Sequence, residues 1–148
     1  MTLWRTIAAE AERESALWAE SLRPAAEREH EPVFSLLAED RFALGLETIY
    51  EGYLVHYGRP RLFAPPDPDA ALLLGDYLYA HGLVRIAELG DVEAIRLLAD
   101  LISRCARLRA EGDSRDGEAW ADTAAELGSE GDAAARDRGL AAHTRRLG

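Results

Sequence analysis

The stretch LLLGDYLYAHGLVRIAELGD, residues 72–91, sets a Gly-Asp pair inside what otherwise reads as one long apolar helix. An interior helix glycine costs about 1 kcal/mol relative to alanine, so Gly75 predicts a neighbouring backbone or ligand too close to admit a side chain. Asp76 is then expected to bond a nearby loop or helix end. Upstream, Asp67-Pro68-Asp69 is a helix start: Asp67 as N-cap, Pro68 in the first turn, Asp69 against the positive end of the dipole. Downstream, Gly90 supplies a left-handed stop, and Asp91 caps a further helix in which Ile95, Leu98, Leu101, Ile102, Cys105 and Leu108 keep the helical period. Two antiparallel helices with a tight corner follow.

Outward from this pair, YGRPRLFAPPDPD (57–69) concentrates most of the prolines and reads as a loop. The helix before it is expected over 33–57, with Phe34, Leu37, Phe42, Leu46, Ile49, Tyr50, Tyr53 and Leu54 on more than one stripe and hence a central place. Leu3, Trp4, Ile7, Ala11, Leu17 and Trp18 predict a first helix over 3–21, ended near Pro24. Past Gly112 only Trp120, Leu127, Leu140 and Leu147 remain as large apolar side chains, so helices near 115–127 and 132–146 are expected to bury little. With no alternating β-branched runs, the fold class is all-α. A single domain over 1–148 holds a bundle of five to seven helices, with 113–148 as a sparse, peripheral part.

The chain has 148 residues and a net charge of −10, its basic residues all being arginine, so a phosphate backbone or an anionic membrane would be repelled overall and no nucleic-acid partner is expected. Its single cysteine, Cys105, cannot form an internal disulfide, which points to a reducing cytoplasm. No stretch reaches the roughly 20 apolar residues that a membrane span requires, and the N-terminus lacks a signal-type apolar core.

LETIYEGYLVHYGRPRLF (46–63) followed by ALLLGDYLYAHGLVRIAELGDVEAIRLLADLISRCARLRAEG (71–112) resembles the middle of the trans-polyprenyl diphosphate synthases. That resemblance implies an isoprenoid-synthase-like helical fold, here truncated. In those enzymes a helix of the form L-x-H-D-D-x-x-D precedes a loop and a helix beginning L-x-G-D-x-L, followed by a Gly-Asp corner. Gly75-Asp76-Tyr77-Leu78 and Gly90-Asp91 match, but His56 is followed by Tyr57-Gly58-Arg59 where the family carries its paired aspartates. Mg²⁺ takes oxygen ligands and neutralises the departing diphosphate, which tyrosine and glycine cannot support. The acids of EGDSRDGEAWAD (111–122) lack the Asp-Asp-x-x-Asp spacing, and Arg59 and Arg61 read as solvated loop charges rather than a phosphate clamp.

The resemblance therefore implies a non-catalytic subunit, like the small one of two-component heptaprenyl-type synthases, partnered by a catalytic prenyl synthase subunit or by itself as a homodimer. No catalytic residue, metal ligand or cofactor is expected. The alternatives are a degenerate homologue that binds a prenyl chain or forms a homo-oligomeric scaffold, and a Mg²⁺-dependent prenyltransferase in its own right. Tyr50, Tyr53, His56 and Tyr57 on one helix, with Gly75, Asp76, Tyr77, Tyr79 and His81 on the next, are the candidates for an apolar slot or interface. Glu27 with His30 is a lone Glu-x-x-His and too little for a di-iron site.

Overall fold

The computed structural model describes residues 2–128 and 131–148. Among them are seven α-helices and no strand: α1 (Leu3–Glu14), α2 (Ala16–Ser21), α3 (Ala43–Tyr57), α4 (Pro68–Ala87), α5 (Val92–Ala110), α6 (Asp116–Glu126) and α7 (Ala133–Leu147). The all-α expectation holds. Asp67 caps α4 by accepting the Ala70 N–H at 2.8 Å, and Asp91 caps α5 by accepting the Ala94 N–H at 3.0 Å. Between them Gly90 sits at φ +77°, the left-handed corner the sequence predicts.

α3 is the hub, with every residue from Gly45 to Val55 buried. It packs antiparallel on α4 through two glycines from each helix, seven residues apart. A Cβ at Gly45 would meet the Ile86 side chain, and one at Gly82 would meet Ile49 Cγ1 and lie 3.1 Å from both Gly45 O and Ile49 N. One at Gly52 would lie 3.0 Å from Gly75 O. Because backbone atoms fill the space, Gly82→Ala should destabilise the protein by about 1–3 kcal/mol through overpacking. This outweighs the roughly 1 kcal/mol that alanine gains in helix propensity. Urea denaturation of the variant checks it; an unchanged or higher midpoint contradicts it.

Three boundaries and burials depart from the sequence expectation. The first helix breaks at Ser15, whose extended backbone (φ −160°, ψ 140°) ends α1 while its hydroxyl accepts the Leu17 N–H at 3.0 Å to start α2. The helix expected from 33 begins only at Ala43. The buried Glu47 carboxylate accepts the Val33 N–H at 3.1 Å and the Ser35 hydroxyl at 2.6 Å, drawing 33–35 onto the flank of α3, and two 3₁₀ turns carry the chain to Phe42. The last two helices bury far more than expected: Trp120, Ala121, Ala124, Ala135 and Ala142 join Phe34, Tyr50 and Tyr53 in one core cluster. A second cluster, Trp4, Ile7, Ala11, Trp18, Val55, Phe63, Leu74 and Leu78, holds α1 and α2 against the other flank of α3–α4.

Candidate functional site

Gly75 and Asp76 serve one side chain. The His56 ring, from α3, lies where a Gly75 Cβ would be, with Cε1 and Cδ2 at 2.6 and 2.7 Å from that point. His56 Nε2 is 3.2 Å from Asp76 Oδ1. Gly75 thus admits a histidine rather than a ligand, and Asp76 partners that histidine rather than a loop or helix end. Tyr57 and Tyr79 flank the ring at centroid distances of 5.7 and 5.1 Å.

Tyr50 and Tyr53 point away from α4, toward α6 and α7. Tyr53 donates to Asp116 Oδ2 at 2.5 Å, His143 Nε2 is 3.2 Å from the same oxygen, and Tyr50 Oη is 2.7 Å from His143 Nδ1. An ionised carboxylate only accepts, so in the neutral ring Nε2 carries the proton and Nδ1 accepts from the Tyr50 hydroxyl. Arg109 adds an ion pair to Asp116 at 3.6 Å and lies over the Tyr57 ring. Burial pushes both the Tyr50 and Tyr53 hydroxyls well above the ordinary tyrosine range.

Burial would raise the Asp116 carboxyl, but the bonds from His143 and Tyr53 outweigh it and hold the group below the ordinary aspartate value. A carboxyl depressed on folding contributes stability that is complete above its unfolded pKa and is lost as pH falls through the folded one. Thermal melts from pH 6 downward, near and below the ordinary aspartate pKa of about 4, should show an acid loss that Asp116→Asn flattens. An identical acid limb in the variant contradicts this.

Tyr77 and His81 face the opposite flank. Tyr77 stacks on His81 and Trp18 at 5.4 and 5.6 Å, and His81 Nε2 meets Glu10 Oε2 at 2.7 Å, where Arg85 also bonds. Burial would raise Glu10, but His81 and Arg85 hold it below its ordinary value. The nine residues singled out in the sequence therefore divide into three groups on different sides of α3–α4. Between those two helices the glycines bring backbone onto backbone. An apolar depression lies instead between α4 and α5, about 340 Å³, lined by Asp76, Tyr79, Ala80, Leu83, Ala99 and Ile102.

Arg61 is not a solvated loop charge. It is fully buried, donating from Nη1 to Glu47 Oε1 at 2.7 Å and from Nε to Glu51 Oε1 at 3.0 Å. Its guanidinium lies 4.7 Å from the centre of the Trp4 ring and 5.2 Å from that of Tyr50. Glu51 Oε2 accepts the backbone N–H groups of Arg61 and Leu62 at 3.0 and 2.7 Å. The proline-rich loop is thus clamped onto α3. Two glutamates one turn apart on an otherwise apolar helix, with an arginine in the following loop, were the signal for this network.

The turn after His56 is closed by α7. A Cβ at Gly58 would lie 2.8 Å from Arg146 O, which accepts the Arg59 N–H at 3.0 Å, and the buried Arg146 side chain pairs with Glu29 and Glu31. Arg59 itself reaches Glu29 at 3.9 Å. His30 stacks on Trp4, apart from the other histidines. Among the described residues no three His, Cys, Asp or Glu side chains gather in a metal-binding arrangement, and no helix is long and apolar enough to cross a membrane.

Compared with known proteins, the chain matches no family model and no solved structure. It is similar to "Heptaprenyl diphosphate synthase component 2" of Geobacillus stearothermophilus, 37% identical over 97 residues, which take in 51% of this chain and 30% of that protein. The chain thus spans less than a third of that relative's length. The resemblance to polyprenyl diphosphate synthases read from the Gly-Asp helix is borne out by a relative whose name makes it one component of such an enzyme.

Proposed function

We propose that the chain is a non-catalytic, polyprenyl-synthase-like subunit that acts by docking on a partner through its helix faces. The turn after His56 carries this reading. Where the resembled synthases carry paired aspartates, Tyr57 packs in an aromatic cluster and Gly58 lies against the Arg146 carbonyl, so neither supplies a carboxylate for Mg²⁺. Of the two arginines in the loop beside that turn, Arg61 is consumed by Glu47 and Glu51, and Arg59 lies 3.9 Å from Glu29. The partner is a catalytic prenyl synthase subunit or a second copy of the chain, in keeping with a relative named as one component of a synthase.

Affinity capture of the tagged chain from its native lysate tests the docking role. Recovery of a prenyl synthase bearing both aspartate-rich motifs supports the heteromeric form. Capture of no synthase component, with the chain alone in the eluate, removes it.

A further inference from the structure

In a chain of net charge −10, two neighbouring arginines of α5 stand without an ion pair. Arg96, Arg109 and Arg115, on the same helical hairpin, pair with Glu93 and Asp100, with Asp116, and with Asp113. Arg104 and Arg107 are exposed and reach no carboxylate among the described residues. Acids do stand one turn away. Asp100, four residues before Arg104, is held by Arg96, and Glu111, four after Arg107, is left aside although opposite charges at that spacing ordinarily meet.

Both arginines line a groove of about 280 Å³ on the flank of α5 that meets α6, not the flank beside α4. Leu108 and Ala119 form its floor, and Arg115, Glu118 and Asp122 stand along α6. Asp113 holds Arg115, and Arg136 holds Asp122 at 2.8 Å. Among the described residues, the charges left facing the groove are therefore two cations on α5 and one anion, Glu118, on α6.

We propose that this groove docks a helical segment of a different protein, which presents two carboxylates one turn apart to Arg104 and Arg107. The inference rests on the docking role proposed above and names the surface and the chemistry of its occupant. Charge selects an acid. An acidic partner is repelled by most of a surface at −10, and here it meets two uncompensated guanidiniums, whose planar forks match carboxylates bidentately. Spacing selects a helix: side chains three apart on α5 lie about 5–6 Å from one another, as do acids three or four apart on a facing helix.

Shape excludes a small molecule. Sites for such ligands enclose roughly 70–90% of them, whereas the charged side chains along both edges of this groove are exposed. From Arg115 to Asp122 the α6 edge runs about 10 Å, the length of two helical turns. Glu118 adds orientation, because it repels a uniformly acidic tract and accepts a base on the segment's other edge. Leu108 and Ala119 are 8% and 6% exposed, so the floor has little apolar area left to cover and charge carries the contact.

Because every base in the chain is arginine, Arg107→Lys places a lone lysine amine in the groove with its charge retained. A zero-length carbodiimide, added to this full-length variant in its native lysate, joins that amine to a carboxylate it touches, and mass spectrometry locates the amide. The expected product links it to an acid of a prenyl synthase component, with a second acid three or four residues away. Combining Arg104→Glu with Arg107→Glu should lower recovery of that component at least about 10-fold, with the circular dichroism melt of the wild type kept within a few degrees. Arg138→Glu, at an exposed α7 arginine that also lacks an ion pair, should leave recovery unchanged. Amides only to Glu111 or Glu118 of the same chain, amides to a second copy, or equal recovery by the double variant and the wild type overturn the inference. The docking role stands in each of these cases if the synthase component is still recovered. An amide to an acid pair of some other protein sustains the groove and removes the synthase as its partner.

Discussion

Replacing Arg61 by alanine should lower the unfolding free energy by about 3–5 kcal/mol, the cost of leaving a buried ion pair without one partner. Glu47 and Glu51 are 1% and 0% exposed, and neither can reach water when the guanidinium is gone. The loss is not confined to charge. Arg61 also bonds the Glu31 and Glu47 carbonyls at 2.7 and 3.2 Å and lies over the Trp4 ring, so one side chain ties the 58–66 loop, the 31–35 segment and α1 to α3. Guanidinium denaturation of Arg61→Ala measures the effect. Arg59→Ala, an exposed loop arginine two residues away whose ion pair is 3.9 Å long, should cost no more than about 1 kcal/mol. Adding Glu47→Gln and Glu51→Gln to Arg61→Met should recover part of the loss, because the stranded charges then disappear. Equal costs for the two arginine variants would contradict the clamp.

Trp120→Ala should cost about 3–5 kcal/mol, as large-to-small changes of buried aromatics do. Trp120 is 1% exposed and packs between Phe34, Tyr50 and Tyr53, at centroid distances of 5.9, 5.0 and 5.7 Å. It is the anchor by which α6 reaches α3. The cavity left by alanine would also loosen the neighbouring Tyr53–Asp116–His143–Tyr50 chain, which is built from α3, α6 and α7. Thermal unfolding of Trp120→Ala should therefore remain a single, lowered transition. Loss of α6 and α7 in a separate early step, with the rest melting as in the wild type, would mean that these helices are a peripheral cover.

Local signals made half of this architecture legible. The Asp67-Pro68 start, the Gly90 corner and the Asp91 cap act over three or four residues, and each bond lies where the sequence reading puts it. What escaped depends on partners distant in sequence. Glu47 draws residues 33–35 out of a helix across 12 to 14 residues, and Arg146 closes the Gly58 turn from the far end of the chain. Arg61 looked solvated because a proline-rich loop is ordinarily at the surface, and only the paired glutamates on α3 argue otherwise.

The neighbours of the tyrosines were illegible for a different reason. Steps of three and four place Tyr50, Tyr53 and Tyr57 on one broad face of α3, but a helix buried on all sides offers that face to whichever neighbour arrives. The neighbour is Trp120 of α6 with His143 of α7, from a segment whose alanine-rich composition promised little burial. Small residues do not preclude a core position. They let α6 approach until its single tryptophan does the filling.

The proposed non-catalytic role stands on Tyr57-Gly58 occupying the place of paired aspartates after His56, and a synthase assay of the purified chain addresses it directly. Given Mg²⁺, an allylic diphosphate and isopentenyl diphosphate, the chain alone should form no elongated prenyl product. Turnover that is abolished by a chelator would show that Tyr57 and Gly58 have not removed the reaction, and would contradict the proposed non-catalytic role.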